Sequence, residues 1–189
     1  MGSVRRRGGM VRVNLDGPEV ALLSSLVAQV RALLVEELPE GLADGTADPL
    51  QTLTAMRTAD VAAPADPVMQ RLLPDAYRDN PELAGEYRRL MDADLRLQKA
   101  AALQRILEDV SSGGTRKGDE VRLELSDEAA AQWLYGLNDV RLVLGTALDV
   151  SEDMDDERAA LEPGSPREMQ LGLYDWLTWL QDALVRAAA

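Results

Sequence analysis

The sequence contains no cysteine and no histidine. Without thiols there is no disulfide staple, no thiol nucleophile and no disulfide switch. Without imidazole as well, Cys/His zinc sites and the commonest general acid–base group are excluded. Hydrolase triads built on a Ser–His or Cys–His pair go with them. The groups left for chemistry are carboxylates, Tyr, Ser and the lysines Lys99 and Lys117. Carboxylate enzymes need two acids paired across a cleft, and a linear sequence does not display that pairing. The chain therefore reads as a non-enzyme with no cofactor and no metal site.

Other scarcities are informative. Phe is absent and Lys is almost so, whereas Arg and Ala abound. GC-rich codons produce that imbalance, which points to a high-GC bacterial source and weakens any functional weight placed on the number of arginines. By inspection, no apolar run approaches the roughly 20 residues of a membrane span. The basic opening "MGSVRRRGGMVRV" lacks the apolar stretch of a secretory signal, so the expected location is cytoplasmic.

What is present is a 189-residue chain of ordinary apolar content, enough for one helical domain with a real core. Its net charge of −13 opposes nonspecific binding to a polyanion. The basic cluster Arg5, Arg6, Arg7 and Arg12 reads as a solvated arm (residues 1–9) or a strand edge. Its sharper alternative is an anchor for DNA or for an acidic partner.

Helix starts are well marked. Asp48-Pro49, Asp66-Pro67, Asn80-Pro81 and Ser165-Pro166 each place a good cap before a proline at the first helical position, where the missing N–H costs nothing. Gln51, Glu168 and, after Asp16, Glu19 stand where a capping box needs an acid or amide. These signals predict helices near 17–37, 49–58, 67–73, 81–110, 127–147 and 166–186. Along the fourth, Leu83, Tyr87, Leu90, Leu97, Leu103, Leu107 and Val110 keep three-and-four spacing, and Met91, Leu95, Ala102 and Ile106 widen the stripe. Such a helix is expected in the middle of a bundle, ending at "SSGG".

Two segments, 10–15 ("MVRVNL") and 120–125 ("EVRLEL"), alternate apolar and polar residues as half-buried strands do. Gly8-Gly9 offers a hairpin turn back onto the first. A shift of 110 positions aligns the strand–helix units 10–37 and 120–147, pairing Val11 with Val121, Arg12 with Arg122, Leu15 with Leu125 and Arg31 with Arg141. Duplication and coincidence both account for that match. Each strand has one solvated face and needs a partner, so the fold expected is mainly α, a single helical bundle with a small antiparallel sheet formed by strands near 10–15 and 120–125.

The candidate partner-binding residues are Tyr135, Asn138, Asp139, Arg141 and Leu142, in "QWLYGLNDVRLVLG". On a helical wheel Trp133, Leu137, Val140, Leu144 and Leu148 centre on the core face. Arg141 and Asn138 then share a polar flank, Asp139 points away, and Tyr135 and Leu142 lie on the far side. The bland reading is a seam that fixes packing; the functional one is a seam that docks a partner. Trp176 and Trp179 read as core or as interface anchors, with a homo-oligomer contact as one use of that terminal helix. The acidic run "DVSEDMDDERAALE" lacks the Gly of a calcium loop and is expected to be a solvated linker.

"LLPDAYRDNPELAGEYRRL", "WLYGLNDVRLVLG" and "LYDWLTWLQDALV", with the opening "RRRGGMVRVNLDGPEVALL", resemble an actinobacterial domain-of-unknown-function family that includes the oxidative-stress transcription regulator AosR. The resemblance spans almost the whole chain, but its motifs are structural in character. It implies a small regulator that works through protein contacts, with a sigma factor or RNA polymerase as partner. Direct DNA binding is the alternative and a carboxylate enzyme the lesser one. Cysteine-based redox sensing does not transfer to a chain without cysteine.

Overall fold

In the computed structural model, residues 2–39, 62–77, 79–113, 115–117, 120–151 and 153–189 are described, with isolated positions between 41 and 48; the side chains at 112, 113, 115–117 and 155 are not. The expected helix at 49–58 and the cap partner Gln51 lie outside the described residues. The chain runs β1 (Ser3–Arg7), β2 (Met10–Leu15), α1 (Gly17–Val35), α2 (Pro67–Leu72) and α3 (Pro81–Glu108). A π turn at Asp109–Gly113 follows. Then come β3 (Thr115–Lys117), β4 (Glu120–Leu125), α4 (Asp127–Ala147), α5 (Asp155–Ala159) and α6 (Pro166–Ala188). The architecture is mainly α with a small antiparallel sheet.

The caps work as their residue types dictate. Asp16 accepts from the Glu19 N–H while Glu19 accepts from the Asp16 N–H, a complete capping box. Asp66, Asn80 and Ser165 accept from the N–H groups of Val68, Leu83 and Glu168. At Ser165 the box differs from expectation, because the Glu168 carboxylate reaches past the cap to the Gly164 N–H.

Gly8 and Gly9 both have positive φ, which suits a tight hairpin turn and pairs β1 with β2. The basic arm is thus a strand. The sheet order is β1–β2–β4–β3, so the two alternating strands pair with each other at its centre. Their register obeys the 110-residue shift: Val11 faces Leu125 and Leu15 faces Val121, with Val13 opposite Leu123 at the pivot. The flanking hairpins obey it too, since Arg5 faces Arg12 as Thr115 faces Arg122. Strand β3 carries no alternation of its own and is missed from sequence.

The inner sheet face (Val11, Val13, Leu15, Val121, Leu123, Leu125) packs on Leu23, Val27 and Leu34 of α1, Leu103 and Ile106 of α3, Trp133 and Leu137 of α4, and Leu177, Leu180 and Leu184 of α6. Burying each large side chain favours folding by about 1.5–3 kcal/mol. Trp133 has no exposed surface, and its indole N–H donates to Asp109 Oδ2 at 2.9 Å. Arg105 grips the same carboxylate, which fixes the π turn where α3 gives way to the sheet. Gly136 lets α3 and α4 approach closely: a Cβ there would stand 2.7 Å from Ile106 Cδ1.

Two expectations fail. Helix α1 is by length and composition apolar enough to cross a membrane, which inspection for unbroken apolar runs does not reveal. Its stripe Leu23, Val27, Val30 and Leu34 is nonetheless buried in the core. And α3 is central over its second half alone, because Leu83, Tyr87, Leu90 and Met91 are exposed. The spacing of apolar residues locates a face, whereas the length of the neighbouring elements decides how much of that face is covered.

Candidate functional site

The five candidate residues of α4 divide between two grooves. Tyr135, Asn138 and Asp139 line one between α3 and α4, of about 590 Å³, with Leu95, Gln98, Lys99 and Ala102 on the opposite wall. Arg141 and Leu142 line the other, of about 510 Å³, with Gly145, Tyr174 and residues of α2. Asn138 and Arg141 therefore do not share one seam. The 100° step per residue ranks positions around α4, but it does not say where α3 and α6 pack, and those helices cut the polar flank in two.

Asp139, expected on the side away from the core, is instead buried because α3 packs there, and it receives the Lys99 ammonium at 2.6 Å. Burial pushes its carboxyl above the ordinary aspartate value, against the opposing hydrogen bond and charge of Lys99. A partly buried Lys–Asp pair joining two helices fixes their relative setting. It leaves Lys99 engaged as a counter-ion, with no second acid among the described residues that line the groove.

Arg141 is likewise consumed by the fold. Its Nε donates to Thr178 Oγ1 at 3.1 Å, its Nη1 to Gln181 Oε1 and its Nη2 to the Tyr174 hydroxyl at 3.4 Å. The guanidinium also lies 5.5 Å from the Tyr174 ring centroid, within cation–π range. Gly145 provides the room, since a Cβ there would stand 3.1 Å from that ring. Arg31, its match under the 110-residue shift, repeats none of this, and its buried Nε has no acceptor among the described residues.

Tyr135 and Asn138 remain open to solvent, Tyr135 at 67 % exposure. Leu95, Gln98 and Ala102 of the groove's α3 wall belong to a helical stripe that extends beyond the groove. Tyr87, Met91, Leu95, Gln98 and Ala102 recur at helical spacing, and Tyr87 and Met91 are exposed in turn. Tyr77 packs edge-on against Tyr87, ring centroids 6.0 Å apart, and extends the apolar strip. The sequence spacing predicts Tyr87 and Met91 in a core stripe, whereas the structure leaves both exposed.

The remaining candidates make contacts within the fold. Trp176 and Trp179 are partly buried against the core, and the Trp176 N–H donates to Glu19, which also receives the Gly2 N–H at 2.7 Å. Arg96, missed from sequence, is buried on α3, where it binds Asp92 and Glu37 at 2.6 Å and the Leu34 carbonyl at the end of α1. The acidic run is more than a linker, for it forms α5, and Arg158 there binds Asp175 of α6 through both guanidinium nitrogens. Among the described residues no cluster of acids is arranged to hold a metal ion.

The putative oxidative stress regulator AosR of Mycobacterium leprae is 30% identical over 182 residues, covering 89% of this chain and 78% of that protein. The oxidative stress regulator AosR of Mycobacterium tuberculosis H37Rv is 31% identical over 194 residues, covering 95% and 83%. No solved structure matches the chain. The model of a domain of unknown function, DUF2017, matches residues 1–188, and the chain belongs to that family.

Proposed function

We propose that this protein is a regulator that acts through protein–protein contact, docking a partner on the strip that runs from Tyr87 and Met91 into the groove at Tyr135 and Asn138. The observation that carries the reading is the exposure of Tyr87, Leu90 and Met91 on α3 and of Tyr135 on the neighbouring α4. Contiguous exposed apolar surface of this kind marks interaction sites, and Tyr and Met are enriched in them. The relatives named as oxidative stress regulators support a regulatory role. Because this chain has no cysteine, its regulation uses an input other than disulfide chemistry or is constitutive.

A sigma factor or the RNA polymerase that carries it is the partner class we favour, reached in the cytoplasm. Purified host sigma factors and polymerase, immobilised in turn, test this with wild-type protein and with Tyr135→Ala and Leu90→Asp. Retention of the wild type and loss of both exposed-surface variants, with unchanged circular dichroism, is the expected result. In gel shifts, promoter DNA is expected to move only when polymerase is supplied. A shift by the chain alone would instead favour direct DNA binding.

A further inference from the structure

The outer face of the sheet carries charge of the opposite sign to the molecule. Arg5 and Arg7 of β1, Arg12 and Asn14 of β2, and Arg122 and Glu124 of β4 line a shallow depression of about 360 Å³, in a chain of net charge −13. Arg5 stands directly across from Arg12, and like charges in that cross-strand position disfavour the pairing. Arg5 and Arg7 are exposed and make no hydrogen bond or ion pair with described residues. Arg12 contacts Glu124 at 2.6 Å through Nη2, yet its Nε is buried without an acceptor. Arg6, between them, points to the other face and is used by the fold, binding Asp127 and the carbonyl oxygens at the end of α6.

We infer that this face docks an acidic segment of a partner protein, whose carboxylates engage Arg5, Arg7 and Arg12. Guanidinium forks match carboxylates in planar, paired hydrogen bonds, which the exposed Arg5 and Arg7 are free to make. A protein segment fits better than nucleic acid. Glu120 and Glu124 stand within the face and the whole chain repels an extended polyanion, whereas a short run of carboxylates meets only the local field. The inference goes beyond the docking strip on α3 and uses none of its residues.

The test is fluorescence anisotropy of a labelled octaglutamate peptide against the full-length chain at low and at physiological salt. Wild-type protein is expected to bind at low salt, and Arg5→Ser with Arg7→Ser to weaken binding by about fivefold, as two exposed ion pairs would. Glu124→Gln, which releases Arg12, is expected to strengthen it by about twofold. Circular dichroism establishes that the variants fold. Absence of peptide binding, or equal binding by the Arg5/Arg7 variant, overturns the inference. So does tighter binding of a DNA duplex at the same salt, or a dimer in sedimentation velocity that the Arg5/Arg7 variant disperses. Tyr135→Ala is expected to leave peptide affinity unchanged, so failure of the α3 strip and failure of the sheet face are read separately.

Discussion

Two sets of polar residues in this molecule reverse the roles that their sequence contexts suggest. Asp139 and Arg141 stand in an apolar helix and look like a site, yet each is bonded within the fold, to Lys99 and to Tyr174, Thr178 and Gln181. Arg5 and Arg7 sit in a basic run near the N-terminus and look like a solvated arm or a strand edge. They are held on the edge strand, side by side with Arg12, and lack partners among the described residues. A polar residue amid apolar ones is often a packing device, because burial obliges it to find a partner. Like charges held together on a rigid element are the less economical arrangement, and so the more informative one.

That contrast is breakable by mutation. The largest effect is expected at Asp139. Changing it to Ala strands the Lys99 ammonium in a partly buried position and is expected to cost about 3 kcal/mol in urea unfolding. Replacing both partners, Lys99→Met with Asp139→Leu, is expected to recover most of that loss, because the cost lies in the unpaired charge. If the double variant is no better than the single one, the pair contributes more than mutual neutralisation.

Arg141→Ala comes next, at about 2 kcal/mol, with Arg141→Lys restoring less than half, since an ammonium cannot reach three acceptors and stack on Tyr174 together. Full function in a folded Arg141→Ala protein would show that the residue is architectural.

A subtler effect is pH dependence. The folded state raises the Asp139 carboxyl above its ordinary value, so it holds that proton more tightly than the unfolded chain does. This residue's contribution to stability is complete below the ordinary aspartate range and is lost as pH rises through its raised value. Stability measured across that window is expected to lose this component in Asp139→Asn, and an unchanged profile would contradict the burial argument.

The smallest effect belongs to the other set. Arg5→Ser with Arg7→Ser is expected to alter stability by no more than about 0.5 kcal/mol, in the favourable direction, by relieving the Arg5–Arg12 opposition. A large loss would mean that these arginines hold the fold as Arg141 does, and the contrast would collapse.

Much of the fold was legible in the sequence because its signals are local. Asp16, Asp66, Asn80 and Ser165 cap helices through bonds to N–H groups two or three residues on, and Gly8-Gly9 turns a hairpin by backbone freedom alone. The alternation in 10–15 and 120–125 requires one buried face and a partner for each strand, and the two strands pair with each other. The candidate site was less legible. Tyr135 and Asn138 were placed near an open surface, but the division of α4 between two grooves depends on where α3 and α6 cross it. Arg96 gave no signal, because its partner Glu37 and the Leu34 carbonyl lie on another element.

By itself, then, the sequence determined what chemistry is excluded, where most helices begin, and which residues of the two central strands face inward. Those are properties of residue type and of backbone period. Tertiary structure alone decided that Asp139 and Arg141 are spent on packing, that the first half of α3 keeps its apolar stripe exposed, and that Arg5, Arg7 and Arg12 converge on one sheet face. Each of those outcomes depends on which surfaces meet across long sequence separations, and no local pattern records that meeting.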